Sequence, residues 1–535
     1  MSHRARSFLA GLLSMAAGCR QIAGIDDLAS LDSVRRREET PCSSSKECSE
    51  RFMEPSLCRT RDARCVPLLS DDCDTFSGDP LAHGALIFGS IEPTTGLDAA
   101  TGRSVRRALG LAVEDFEVGT KGLPPVTGED ARRPLAVVHC NDQGQSENAV
   151  RAAQHLSQTL EVPAIVGAAF SGVTLDIATS VTIAQGTLLM SPSATSSAIS
   201  ELEDRGLVWR TAASDVVQAS AQVALVERLA AQLQEGSSVT RPLTLAVLHK
   251  GDAYGYGLAE DVLEALTWND RRALDARNAA YVVRKDYGDP SDAAASPVRY
   301  ERVVREAIAL MPDVVLLYGT SEVAPDVLVP LETSFQLGSK RPHYVLADGG
   351  RTDDTRDAIK LLDPDGKTGL AARVLGTEPG SLSAEQALFA SRYASAADDP
   401  DEPVAFGAAN AYDAVHLLAY AAVAADRAQP SGADLAAGLV QFLPGDDEDE
   451  SVFSIGPRAL NAVFRALKAG QHLALRGASG PLRFDLDTGD VMSDILLWCP
   501  QSDASQRLRL ITYGERYDAT RGEIVADGEL SHCGP

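Results

Sequence analysis

The chain has 535 residues, more than one ordinary hydrophobic core organises, so at least two lobes are expected. Its 49 Lys and Arg against 75 Asp and Glu give a formal charge of −26, which repels phosphate backbones and argues against a nucleic-acid partner. Hydrophobic residues at 44% and charged residues at 23% exclude a disordered or fibrous chain.

The N-terminus is distinct. Arg4 and Arg6 precede an apolar run from Phe8 to Ala17, which ends in Ala16-Ala17-Gly18-Cys19. The run is too short to span a bilayer and fits a signal peptide over residues 1–18. Small residues ahead of Cys19 match a bacterial lipobox, whose cysteine is acylated and becomes the mature N-terminus; Ala16 stands where such motifs usually carry Leu. A plain cleaved signal is the alternative, and export follows from either. The lipobox reading puts the chain at the cell envelope, held to the membrane by its lipid alone. Arg20 after the cysteine, instead of Asp, favours the outer membrane, facing the periplasm. Residues 19–41, with the charge run Arg35-Arg36-Arg37-Glu38-Glu39, read as a tether.

Eight further cysteines, Cys42, Cys48, Cys58, Cys65, Cys73, Cys140, Cys499 and Cys533, form an even set, as an oxidising compartment requires. The gaps from Cys42 to Cys73 are too wide for a zinc knuckle, so residues 42–83 are expected to form a small disulfide-held segment without metal. Cys499 with Cys533 and Cys73 with Cys140 are possible pairs, and the connectivity stays open.

From Gly84 the texture becomes α/β. Ala85–Ile91 reads as a buried strand, followed by a helix with Val105, Leu109, Ala112, Val113 and Phe116 on one face. Strands over Leu135–Cys140, Ala164–Gly167 and Thr187–Met190 follow, and the alternation restarts at Leu243–Leu248, Val314–Tyr318 and Tyr344–Leu346. Strands alternating with helical periods predict βαβ units and parallel sheets. A long apolar helix is expected over Ala408–Ala425. Beyond it, Pro481–Asp485, Ser493–Cys499 and Leu508–Tyr513, with a turn at Asp487-Thr488-Gly489-Asp490, predict an antiparallel ending.

Several segments in this order resemble the type I periplasmic binding proteins, above all the leucine/isoleucine/valine-binding branch. They are Phe88–Gly96, Gly167-Ala168-Ala169-Phe170-Ser171-Gly172, Ser191-Pro192-Ser193-Ala194-Thr195, Trp209–Asp215, Tyr254-Gly255-Tyr256-Gly257, Tyr412-Asp413-Ala414 and Gly480–Asp485. The resemblance spans residues 84 to 515. It implies two doubly wound Rossmann-like lobes joined by three crossover segments: residues 84–214 and 376–478 in lobe 1, 215–375 and the C-terminal hairpin segment 479–535 in lobe 2. Loops after strands are where open α/β sheets place ligands. The resemblance implies Ser171, Ala194 and Thr195 as ligand contacts from lobe 1, Tyr254 from lobe 2, and Asp348 near the family's acidic partner for an ammonium. The family's tyrosine-rich loop is replaced by Gly319-Thr320-Ser321-Glu322, which leaves the ligand's identity open. Ser214-Asp215 reads as a helix cap at a hinge.

No GxSxG, HExxH, P-loop or dinucleotide motif is found in its required context, so no catalytic residue, metal or cofactor is expected. The expected function is capture of a small polar, amino-acid-like ligand for an ABC permease. The alternatives are a ligand sensor and a scaffold that binds an envelope protein.

Overall fold

The structure is a computed structural model that describes residues 40–235, 241–335, 340–396, 404–442, 452–502 and 507–526. The expected signal peptide, Cys19, most of the expected tether, the acidic run near 446–450 and Cys533 lie outside these residues.

The N-terminal segment buries little apolar surface, chiefly Leu57, Val66 and Leu68. Its helix, Ser45–Phe52, is capped by Ser44 Oγ, which accepts from Glu47 N at 3.2 Å. A hairpin of β1 (Ser56–Arg59) and β2 (Arg64–Pro67) packs beside it. Disulfides Cys42–Cys58 and Cys48–Cys65 supply the cohesion that the small core lacks. The sulfurs of Cys42, Cys48 and Cys65 lie close together, but all three are in disulfides and none offers a thiolate to a metal.

Cys73–Gly78 carries no strand signal in its sequence, yet these residues form β3. It pairs antiparallel with β5 (Leu135–Asn141), and Cys73 is bonded to its register partner Cys140. β3 thus extends a six-stranded sheet whose remaining strands are β4 (Leu86–Glu92), β6 (Ala164–Gly167), β7 (Leu188–Ser191) and β8 (Val208–Arg210). The order is β3-β5-β4-β6-β7-β8, and every pair except β3–β5 is parallel.

The second sheet has eight strands. β9 (Leu245–His249), β10 (Val282–Asp286), β11 (Val314–Tyr318), β12 (His343–Leu346) and β13 (Val374–Pro379) are parallel, in the order β10-β9-β11-β12-β13. Three antiparallel strands complete it: β14 (Ile495–Ser502), β15 (Leu508–Asp518) and β16 (Glu523–Ala526). The expected strand at 481–485 is reduced to isolated bridges, Arg476 with Pro481 and Phe484 with Val491, which close the turn at Asp487–Asp490.

The helix Ala99–Thr120 packs its predicted face, Val105, Leu109, Ala112, Val113 and Phe116, into the first core. The helix Ala408–Ala425 is buried nearly all round, which explains its lack of a polar face. It belongs to the same core as Phe88, Leu109 and Phe116, with Phe464 of the helix Leu460–Lys468. The chain therefore leaves the first lobe near 210–215, returns near 379–384 and crosses again within 476–495. These are the three crossovers of the type I architecture. No described helix is long and apolar enough to cross a membrane.

Candidate functional site

β6 ends at Gly167, whose backbone lies at φ +140 and whose Cβ would fall 2.6 Å from the Ile91 carbonyl oxygen, so only glycine fits. The chain then turns through Ala168–Phe170 to Ser171, which opens a helix. After β7 a second loop runs from Pro192 to Ser196. Hydroxyls stitch the two loops together. Ser171 Oγ accepts from the amides of Thr195 and Ser196, both at 3.2 Å. Ser191 Oγ donates to Ala168 O at 2.8 Å and accepts from Ala194 N at 3.0 Å, while Ser193 Oγ donates to Ala169 O at 2.9 Å. Ser171, Ala194 and Thr195 are thereby brought to one place, all buried.

Arg210, fully buried at the first crossover, fixes this loop from behind. It donates to Ser196 O at 2.8 Å and is ion-paired to Asp490 at 2.6 Å, so the first crossover is tied to the third. Sequence reasoning gave Arg210 no role, because its two partners come from distant segments.

From lobe 2, Tyr254 lies in the first turn of the helix Ala253–Ala265, which Asp252 caps by accepting from Gly255 N at 2.8 Å. Tyr254 OH donates to Asp348 Oδ1 at 2.8 Å, and Gly349 N donates to the same phenol oxygen at 3.3 Å. Gln218 Nε2 donates to Asp348 Oδ1 at 2.7 Å and to Asp215 Oδ1 at 3.2 Å. Asp215 is more than the hinge cap suggested by the sequence. It is completely buried, its amide donates to Thr195 O at 2.7 Å, and its carboxylate faces the Thr195 hydroxyl. Thr195 Oγ1 and Asp215 Oδ2 form no well-directed hydrogen bond.

Burial pushes the Asp215 carboxyl well above the ordinary range, and the Asp348 charge adds to it. Burial also raises Asp348, against the bonds from Gln218 and Tyr254 that favour its charged form. The arrangement sets hydroxyl and amide donors beside two buried acids.

The lobes also touch directly. Ser196 Oγ donates to Ala253 O at 3.1 Å, and Ser321 Oγ donates to Asp98 Oδ1. Lys250 Nζ lies 5.4 Å from the centre of the Phe170 ring. Its ion pairs go to Asp252 at 3.1 Å and Asp289 at 3.4 Å. Burial works against the Lys250 charge, but Asp252, Glu322, Asp289 and Asp98 outweigh it and hold the ammonium well above its usual range. The divergent loop turns Glu322 inward, where it accepts from Tyr287 OH at 2.7 Å and Thr320 Oγ1 at 2.6 Å. His139 sits between the hydroxyls of Ser77 and Ser90, at 2.8 and 2.7 Å. Burial lowers it to about 3, so it is neutral and structural.

Two parallel-sheet lobes, connected three times and meeting at their strand-end loops, define a bilobal binding protein. A model of the periplasmic binding protein family matches residues 87–448, and the chain belongs to that family, a class of extracytoplasmic ligand binders distinct from enzymes. Among solved structures it is similar to a leucine-binding protein from Thermotoga maritima, at 17% identity over 80% of this chain and 98% of that one, with a TM-score of 0.54. It is also similar to a branched-chain amino acid transporter substrate-binding protein from Streptococcus pneumoniae, in complex with isoleucine, at 16% identity over 80% and 99% with a TM-score of 0.54. A third is an ABC-transporter solute-binding protein from Rhodopseudomonas palustris in complex with 3,4-dihydroxybenzoic acid, at 16% identity over 82% and 98% with a TM-score of 0.56. These likenesses establish the fold. No curated protein matches the chain.

Proposed function

We propose that the protein is a lipid-anchored solute-binding protein of the cell envelope, which captures a small polar, amino-acid-like ligand between its lobes and passes it to an ABC-type importer. The observation that carries this reading is the pairing of two walls: Ser171, Ala194 and Thr195 on lobe 1, with Tyr254 and Asp348 on lobe 2 and Asp215 between them. The unpaired Thr195 hydroxyl suits a carboxylate, and the buried acids suit an ammonium. The solved relatives with isoleucine and 3,4-dihydroxybenzoic acid make both amino acids and aromatic acids reasonable first probes.

A thermal-shift screen with amino acids, amides, short peptides and aromatic acids tests the capture. A specific ligand at about one hundred times its Kd stabilises the fold by ~2.7 kcal/mol. Cys19→Ala tests the anchor: detergent partitioning is expected to disappear, and a variant that still partitions refutes acylation there. A second reading, a scaffold for an envelope protein, draws on the contacts the lobes make with each other through Asp98, Ser321, Lys250 and Phe170. That reading takes over if no small molecule binds and a protein partner does.

A further inference from the structure

We propose that Cys42, Cys48, Cys58 and Cys65 form one exchanging set, in which an external thiol rearranges the two disulfides of the N-terminal segment and uncouples its helix from its hairpin. The Cys42, Cys48 and Cys65 sulfurs all lie within 4.8 Å of one another, although Cys42 is bonded to Cys58 and Cys48 to Cys65. Cys58 and Cys65 stand directly opposite in the β1–β2 hairpin, where opposed Cα atoms are about 4.5–5.5 Å apart, inside the span of a disulfide. Cys42–Cys48 and Cys58–Cys65 are therefore a second pairing within reach of the same backbone.

That backbone is also held by hydrogen bonds. Cys42 N donates to Ala63 O at 2.9 Å and Cys65 N to Thr40 O at 3.1 Å, which lays residues 40–42 along the start of β2. Cys58 N donates to Ser45 Oγ at 3.1 Å, and Ser56 N donates to Ser49 Oγ at 3.0 Å, which seats the helix Ser45–Phe52 on β1. An exchange then needs side-chain rotation and no refolding. Exposure sets the order of events. Cys48 and Cys65 are fully buried, whereas Cys42 and Cys58 are half-buried. An external thiol meets the Cys42–Cys58 bond first, and an internal sulfur is the one placed to reach the other.

The chemistry balances with the thiol as catalyst. An external thiolate, such as that of glutathione, attacks Cys58 Sγ, forms a mixed disulfide there and expels the Cys42 thiolate. Cys42 attacks Cys48 Sγ, which closes Cys42–Cys48 and expels the Cys65 thiolate. Cys65 attacks Cys58 Sγ across the hairpin, which closes Cys58–Cys65 and returns the external thiolate. No electrons are gained or lost overall. Both original bonds join the helix side of the segment to the hairpin, over separations of 16 and 17 residues. In the isomer one bond lies on the helix side and the other within the hairpin, so the two parts lose their covalent link. The hairpin keeps its hold on lobe 1, where Arg61 is ion-paired to Glu161 at 2.6 Å, and residues 40–52 are the part released. The shorter loops constrain the unfolded chain less, so the original pairing remains the ground state and the isomer a minor form that requires thiol.

The test maps linkages in the full chain. Trypsin cleaves after Lys46, Arg51, Arg59 and Arg64, which leaves these four cysteines on separate peptides. The chain is incubated with glutathione, alkylated, digested without reduction and analysed by mass spectrometry. Peptides linked through Cys42–Cys48 and Cys58–Cys65 are expected, with a matching loss of the original pairs and with Cys73–Cys140 unchanged. Cys42→Ser reads the same exchange without added thiol: the freed Cys58 should take Cys65, so the alkylated residue becomes Cys48 and not Cys58. Original pairs untouched by glutathione overturn the inference. So does modification confined to Cys42 and Cys58, reduction of all four without the new pairs, or a Cys42→Ser chain that keeps Cys48–Cys65 and is alkylated at Cys58. Should Cys42→Ser fail to fold, the glutathione reaction of the unmodified chain decides alone.

Discussion

Asp215 and Asp348 share a single donor, the Gln218 amide nitrogen, at 3.2 and 2.7 Å. One acid opens the helix after the first crossover and the other follows β12, so the donor joins the crossover to the loop after β12. The two N–H groups of that amide can serve one acid each, and Asp348 also accepts from Tyr254 OH, while Asp215 Oδ2 has no well-directed hydrogen bond.

Ser171 and Thr195 should separate binding from folding. Thr195 Oγ1 is buried without a well-made hydrogen bond, so Thr195→Ala removes little from the unliganded fold. If that hydroxyl bonds to a ligand carboxylate, worth ~1.5–3 kcal/mol, affinity should fall about ten- to a hundredfold while the unliganded melting temperature holds. Ser171→Ala should lower both, because two buried amides lose their acceptor. Calorimetric titration and melting curves of the two variants check this. Equal effects on melting, or none on affinity, would remove these residues from the site.

Stability should fall as pH rises above neutrality. Burial raises Glu92 to about 8, against the attraction of Arg106, and raises Asp142 to about 7. Both groups keep protons in the fold that the unfolded chain releases near pH 4. The native state therefore binds more protons between those limits, and each stabilising contribution is lost as pH passes the raised value. His139, lowered to about 3, and His343, lowered to about 4, oppose this trend, but only below about 6.5, where unfolded histidine is charged. From about pH 6.5 to 8.5 the carboxyls act unopposed, and the melting temperature should drop by about 2 °C or more. Glu92→Gln should flatten that slope; an unchanged slope contradicts the assignment.

The Cys73–Cys140 bond carries a different load from the two bonds inside the N-terminal segment. It spans 67 residues and closes β3 onto the edge of the lobe 1 sheet. Cross-linking a loop of that length is worth up to about 4 kcal/mol in the chain-entropy model. Cys73→Ser/Cys140→Ser should lower chemical-denaturation stability by about 2–4 kcal/mol and expose β3 to protease. An unaltered proteolysis pattern would mean that hydrogen bonds alone hold this edge.

The strands were legible where they are fully buried, since runs such as Val314–Tyr318 admit few other readings. β3 was not: Cys73-Asp74-Thr75-Phe76-Ser77-Gly78 has no apolar alternation, and only its pairing with β5 makes it a strand. The two lobe 1 loops could be located because small residues follow strand ends at Gly167 and Ser191. Asp215 was readable as a cap, but its burial depends on Asp348, brought near through a Gln218 contact 130 residues apart in sequence. Lys250 was missed for the same reason. A lysine after a strand ordinarily reaches solvent, and this one is buried because Asp252 of its own loop is joined by Phe170, Glu322, Asp289 and Asp98 from other loops.

That convergence predicts that the protein contributes to its own closure. Lys250 belongs to lobe 2 and Phe170 to lobe 1, and their contact exists only when the lobes meet. An ammonium over an aromatic face is worth ~0.5–2 kcal/mol, which changes a closed-to-open ratio by about two- to thirtyfold. Replacing Lys250 itself would leave Asp252 and Asp289 unneutralised, so Phe170→Leu is the cleaner variant: it keeps lobe 1 apolar at that position and removes only the ring's attraction. Asp98→Asn adds an independent probe, weakening the field at Lys250 while leaving an acceptor for Ser321. Without ligand, both variants should give a larger radius of gyration in small-angle scattering than the parent. With a saturating ligand the difference should shrink, and ligand affinity should fall by no more than the same two- to thirtyfold factor. Superimposable scattering curves for parent and both variants would show that this contact does not set the opening equilibrium.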